Sequence, residues 1–152
     1  MSDPFVTKNI LKWYDLNKRS LPWRKNVSKE KRQYNTLISE FMLQQTQVAT
    51  VIPYFNKFVK EIPNIKKLAS VDNKKLIKLW EGLGYYSRAR NLKKAAQSVI
   101  KNFNGVIPDN FDDLKSLSGI GDYTANAILA IAFNKPYIPL DGNVERIIKR
   151  YL

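Results

Sequence analysis

Apolar side chains recur at three- and four-residue intervals along most of the chain, and that spacing predicts helices almost throughout. Phe5, Ile10, Trp13 and Tyr14 mark the first one. Asp3 before Pro4 is its start signal, a capping side chain followed by proline at the first helical position. Leu21-Pro22-Trp23 ends it, and the polar, lysine-rich stretch 26–33 reads as a loop. A second helix is expected over 34–45, with Leu37, Ile38, Phe41 and Met42 on its apolar face. Residues 46–60 continue helically after a turn, with Pro53 either early in a new helix or kinking the old one. Two short helices, 64–70 and 72–80, follow, the second capped by Asp72; Gly82-Leu83-Gly84 stops them. Residues 87–103 form a long helix with Ala89, Leu92, Ala95, Ala96, Val99 and Ile100 inward. Asn110 with Asp113 three residues on resembles a capping box and opens a short helix before Gly119-Ile120-Gly121. Another helix covers 124–133. The last begins near Asn143 and is still in progress at Leu152, without a stop signal. No stretch alternates with the two-residue period of a strand.

The pattern gives an all-α fold of one domain, or of one domain with part of a second. Hydrophobic content of 44% and aromatic content of 12% are enough for a real core. The net charge of +13, from 26 basic and 13 acidic residues, suits a polyanionic partner, nucleic acid foremost,. The other reading of the charge is a lysine-biased proteome, since Asn and Ile are also abundant. The chain has no cysteine and no histidine. Disulfides, thiolate nucleophiles, Cys/His zinc sites and imidazole acid–base chemistry are therefore excluded, and proton transfer must use carboxylates, Lys or Tyr. The longest apolar run, 127–133, is far short of the roughly 20 residues that span a bilayer. With no signal-peptide pattern at Met1-Ser2-Asp3-Pro4, a soluble intracellular protein is expected, cytoplasmic and nucleoid-associated if bacterial, with no membrane partner.

Several positions carry candidate chemistry. The Gly119-Ile120-Gly121 turn reads as the middle of a helical hairpin, and the helix behind it points its amino end, with free N–H groups and a positive dipole, back at the turn. Gly82-Leu83-Gly84-Tyr85-Tyr86 echoes Gly119-Ile120-Gly121-Asp122-Tyr123; each offers backbone N–H groups to a phosphate or is simply a helix C-cap turn. Glu40 has apolar neighbours at 37, 41 and 43. Desolvation there would raise its pKa and make it a general acid; a solvent-facing Glu is the alternative. Gln44, Gln45, Thr46 and Gln47 offer uncharged polar groups suited to base edges in an opened duplex. Tyr85 and Tyr86 suit stacking or wedging, one of the two being expected in the core. Arg88, Arg90, Lys93 and Lys94 are candidate phosphate contacts or a solvated face. Asp141, before Gly142, is an N-cap or turn residue, or the second carboxylate of a pair that cleaves a glycosidic bond.

Leu-Pro-Trp-Arg (21–24), Ser-Glu-Phe-Met-Leu-Gln-Gln-Thr-Gln-Val (39–48), Ile-Pro-Tyr-Phe (52–55), Trp-Glu-Gly-Leu-Gly-Tyr-Tyr-Ser-Arg-Ala-Arg-Asn-Leu (80–92), Gly-Ile-Gly-Asp-Tyr-Thr-Ala (119–125) and Leu-Asp-Gly-Asn-Val (140–144) together resemble MutY-type adenine DNA glycosylases. Those belong to the helix-hairpin-helix superfamily that includes endonuclease III. The resemblance covers nearly the whole chain. It implies a six-helix barrel over 25–138 with the hairpin at about 111–133. An N-terminal helix within 1–24 and the start of a helix at 139–152 would belong to a second lobe. It implies an enzyme that flips adenine, mispaired with 8-oxoguanine or guanine, out of duplex DNA and hydrolyses its N-glycosidic bond, acting as a monomer. Glu40 would protonate the adenine ring and then activate water; Asp141 would stabilise the oxocarbenium sugar, and Asn143 would support that site. Tyr123 stands where bifunctional relatives carry the Schiff-base lysine, which implies a monofunctional glycosylase. Arg19, Trp23, Arg24, Leu43 and Val48 match the adenine pocket, and Gln45 and Tyr85 match residues that fill or wedge the opened stack. Two departures stand out: the segment between Arg24 and Tyr34 is longer than the pattern's, and Gln33 stands where proline is common. Family members usually continue into four cysteines holding a [4Fe–4S] cluster and a domain that reads 8-oxoguanine. Those would need residues beyond Leu152, so a partial chain is expected.

Overall fold

A computed structural model describes residues 4–151. The described residues form helices and loops, with no strand. In order these are α1 (Pro4–Asn17), a single 3-10 turn (Pro22–Arg24), α2 (Lys29–Leu43), α3 (Val48–Glu61), α4 (Ile65–Ser70), α5 (Asn73–Trp80), α6 (Ser87–Asn102), α7 (Phe111–Ser116), α8 (Asp122–Phe133) and α9 (Gly142–Tyr151). Asp3 and Leu152, read as a start signal and as the point where the last helix is still in progress, lie outside the described residues.

The core is built around α2. Gln33 to Met42 are all buried, polar and apolar alike, because α3, α6, α8 and the 3-10 turn pack around this one helix. A helix covered on all sides is central rather than amphipathic. The expectation of one apolar face was too narrow, and this difference decides the environment of Glu40. Aromatic side chains fill the space between α3 and its neighbours. Trp23 meets Phe55 edge-on at 5.3 Å between centroids, and Phe58 meets Trp80 at 6.0 Å,. Tyr34 donates its hydroxyl to the Ile62 carbonyl at 2.5 Å, tying α2 to the end of α3.

Local signals set the boundaries. Asp72 caps α5 by accepting from the Lys74 and Lys75 amides at 2.8 and 3.2 Å,. Asn110 caps α7 by accepting from the Asp113 amide at 2.9 Å. The full capping box does not form: Asp113 is one methylene shorter than Glu and takes the Asn110 side-chain amide at 2.6 Å. Pro53 lies early in α3, in its second turn. The stretch 26–33 is a loop only to Ser28, whose hydroxyl accepts from the Lys31 amide at 3.3 Å and starts α2 at Lys29. Lysines there are compatible with a helix whose first turn faces solvent. Ile100, expected inward, sits at the edge of α6 and is exposed.

Two helices stand apart from this core. α1 buries none of its described side chains and leaves Phe5, Ile10, Leu11, Trp13 and Leu16 exposed. α9 leaves Ile147, Ile148 and Tyr151 exposed. The chain joins the core at Leu21 and Trp23, both buried. No helix among the described residues is long and apolar enough to cross a membrane.

Candidate active site

A cleft of about 1010 Å³ opens between the C-terminal half of α2, the start of α8, the start of α9, the 3-10 turn and the loop before α6. Glu40 and Asp141 both line it, with Tyr123 and Asn143. Residues a hundred positions apart meet because α8 packs along α2 and ends on Asn134, in the left-handed conformation at φ 53°. The following segment runs back over α7, with Tyr137 stacked on Phe111 at 6.4 Å and Lys135 paired with Asp109 at 3.1 Å. It delivers Asp141 to the cleft.

The two carboxyls have opposite environments. Glu40 is 9% exposed, and burial pushes it up to about 7, against an opposing pull from Arg24,. Asp141 caps α9. Its Oδ1 accepts from the Val144 amide at 2.8 Å and the Asn143 amide at 3.0 Å, and its Oδ2 from the Asn143 side-chain amide at 3.3 Å. The Val144 amide above all holds Asp141 below the usual carboxylate range,. Asp141 is thus both an N-cap and a cleft residue; the two readings are compatible. Arg146 in turn binds the Asn143 side-chain oxygen at 3.0 Å. Tyr123 is raised by partial burial and then by the fields of Glu40 and Asp141, with which it lines the cleft.

The cleft also gathers Arg19, Trp23, Arg24, Leu43, Gln44, Gln45, Thr46, Val48 and Tyr85. Gln44 donates to the Gly119 carbonyl at 3.3 Å and to Thr124 Oγ1 at 3.4 Å, joining the α2 end to the hairpin turn. Gln45 and Tyr85 are exposed residues on the rim, and both adopt positive φ, 57° and 47°. Gln47, expected with its neighbours, lines it too, whereas sequence reading missed Leu21, Ser87, Thr124, Ala127, Ile131 and Pro139. Thr124, Ala127 and Ile131 follow the helical period of α8, but the period could not say that this face meets the cleft.

Arg88 lines the cleft as well but not in the role expected of it, and other expected residues lie outside the cleft. Arg88 is not a phosphate contact: it is 6% exposed and its guanidinium is turned inward onto main-chain carbonyls. Tyr86 is exposed and lines a separate shallow groove with Lys74 and Lys78, so neither Tyr85 nor Tyr86 belongs to the core. Gly82 and Gly84 are outside the cleft. Gly82, at φ 95°, follows α5 as its C-terminal turn, the Leu83 amide donating to the Trp80 carbonyl at 3.0 Å. The hairpin glycines differ in kind. Gly119 is at φ 82°, and a Cβ there would sit 2.8 Å from both Asn91 and Phe41. Gly121 has negative φ, and a Cβ would meet nothing within 4 Å. The fold demands glycine at 119; at 121 it leaves open space above the α8 amides, which no side chain caps,. A cluster of thiolate-held iron and sulfur has no ligands among these 152 residues, which include no cysteine.

A helical hairpin thus lies beside a cleft that holds one carboxyl raised by burial and one lowered by hydrogen bonds. The chain belongs to the HhH-GPD superfamily of base excision DNA repair proteins, whose family model matches residues 38–152. More particularly, it is similar to curated adenine DNA glycosylases. It is 46% identical over 145 residues to that of Buchnera aphidicola subsp. Baizongia pistaciae, covering 95% of this chain and 40% of the relative. It is 44% identical to that of Homo sapiens, covering 93% of this chain and 27% of the relative. The chain therefore spans two-fifths or less of these relatives' length. Among solved structures, a thermostable thymine-DNA glycosylase superimposes with a TM-score of 0.84 at 27% identity, covering 95% of this chain and 65% of that one. An endonuclease III in a non-covalent DNA complex superimposes at 0.77 and 23% identity, covering 99% and 69%, a likeness of fold.

Proposed function

We propose that this chain carries the catalytic core of a monofunctional adenine DNA glycosylase acting on adenine opposite 8-oxoguanine or guanine in duplex DNA. The observation that carries the reading is the split between the two cleft carboxyls, Glu40 raised to about 7 and Asp141 lowered. Such a split assigns an acid and a charge stabiliser to one site. Neutral Glu40 gives its proton to a ring nitrogen of the extruded base. The C1′–N9 bond breaks, its electrons leaving with the base. Ionised Asp141 stabilises the cationic sugar. Glu40, now a carboxylate, takes a proton from the water that attacks C1′. The target bond is shielded in a stacked duplex, so the base must leave the stack first. Gln45 and Tyr85 are the rim residues suited to fill the gap, and the open amides of α8 at Gly121 the place for a phosphate. Tyr123 cannot form a Schiff base, so no strand-cleaving step follows. The exposed apolar faces of α1 and α9 fit helices of a second lobe.

Incubation with an A:8-oxoguanine duplex, followed by alkali, should reveal abasic strand breaks. Glu40→Gln should bind DNA with unchanged affinity and lose at least 100-fold in rate. Equal rates would remove Glu40 from the mechanism. Duplex binding without base release from the unsubstituted protein would leave a DNA-binding module. Borohydride should trap no covalent adduct; a trapped adduct would indicate a lyase.

A further inference from the structure

Arg88 lines the cleft but takes no part in the chemistry proposed above. Arg88 projects from the first turn of α6 into the gap between two loops, 44–47 and 82–86. Its Nη1 donates to the carbonyls of Phe41 at 3.3 Å, Met42 at 2.8 Å and Gln44, and to Thr46 Oγ1 at 3.0 Å. Its Nη2 donates to the carbonyls of Leu83 and Gly84, each at 3.2 Å. The guanidinium lies 5.7 Å from the Trp80 ring centroid and 5.4 Å from that of Tyr85, and Trp80 in turn donates to the Gly84 carbonyl at 3.1 Å.

The acceptors explain the choice of residue. The last carbonyls of α2 have no partner within the helix, and a buried cation there satisfies them. A planar fork reaches both loops at once and stacks on aromatic faces, whereas an ammonium does neither. Each loop holds one non-glycine residue in the left-handed region, Gln45 at φ 57° and Tyr85 at φ 47°. That conformation persists only where its surroundings enforce it. Arg88 grips the residues on either side of Gln45 and immediately before Tyr85.

We propose that Arg88 is a positioning residue that couples the two rim loops into one body, so that Gln45 and Tyr85 enter DNA as a single wedge. The wedge half of this proposal rests on the function proposed above. Arg88 acts through these two residues and touches neither base nor sugar.

The test is stopped-flow fluorescence of a duplex carrying 2-aminopurine opposite 8-oxoguanine, which brightens as the base leaves the stack. Four proteins are compared: unsubstituted, Arg88→Lys, Tyr85→Ala and the double variant. Arg88→Lys should slow unstacking about tenfold when Tyr85 is present and less than threefold when it is absent. The same fold-loss in both backgrounds would mean that Arg88 only supports the fold, and would overturn the proposal. A second measurement, hydrogen exchange of the unsubstituted protein without DNA, does not depend on the variants folding. The hydrogen-bonded amides of Thr46 and Leu83, one per loop, should show matching protection and matching denaturant dependence,. Independent opening of the two would overturn the coupling. If the unsubstituted protein binds the duplex without brightening it, the glycosylase reading fails, and the exchange data alone then uphold or overturn the clamp.

Discussion

Glu40 is the residue on which pH acts most directly. Its folded pKa of about 7 exceeds the ordinary 4.5, so between those values the folded chain holds a proton that the unfolded chain lacks. Its contribution to stability is greatest below pH 4.5 and falls away as pH rises through 7, by about 3 kcal/mol in all. Glu40→Gln removes that loss. Urea melts should therefore find the variant more stable than the parent at pH 8 by up to about 3 kcal/mol, and little different at pH 5. Single-turnover base release should fall about tenfold per pH unit above 7. Asp141 stays ionised throughout this range, since its hydrogen bonds lower it further. A rate that is flat from pH 6 to 9 would remove Glu40 as the proton donor. The two hairpin glycines separate cleanly at the same scale. Gly119→Ala must place a Cβ at positive φ against Asn91 and Phe41, and should cost about 2–3 kcal/mol in a urea melt,. Gly121→Ala should change stability by less than about 0.5 kcal/mol while weakening duplex binding.

The helices of this chain begin and end largely where short-range chemistry directs them. Asp72 and Asn110 cap as their positions led one to expect, while Ser28 starts α2 from inside a stretch that reads as loop. The difference has a simple cause: a polar first turn carries no periodic apolar signal even when its cap is present. Asp72→Ala should remove two bonds to the first turn of α5 and cost about 1 kcal/mol, read as a lower urea midpoint at unchanged m-value,. Helix α2 shows the limit of reading one element alone. Its apolar residues mark a face, yet all of 33–42 is buried, because neighbours close on the polar side as well.

The excess of positive charge acts at the scale of the molecule. Duplex affinity should fall linearly in log–log form with salt, at a slope of about −0.9 per phosphate contacted, as gel-shift titrations from 50 to 200 mM salt would measure. Arg88 lies outside that count, being buried on carbonyls. The fold places the uncapped end of α8, the rim residues Gln45 and Tyr85, and the two carboxyls around one opening. A duplex held at the hairpin would thereby present one nucleotide to the cleft.

The chain's order of residues is enough to determine a helical molecule, most of its caps, the glycine turns and a short set of acids that chemistry could use. These depend on neighbours three or four positions away, or on the backbone demands of a single residue. Tertiary structure alone decided that Glu40 is desolvated and shares one cleft with Asp141, and that Arg88 faces inward while Tyr85 faces out. Burial and electric field are properties of what packs against a group. That packing comes from α6, α8 and the 134–141 segment, tens of residues away in the chain, and no local pattern encodes it.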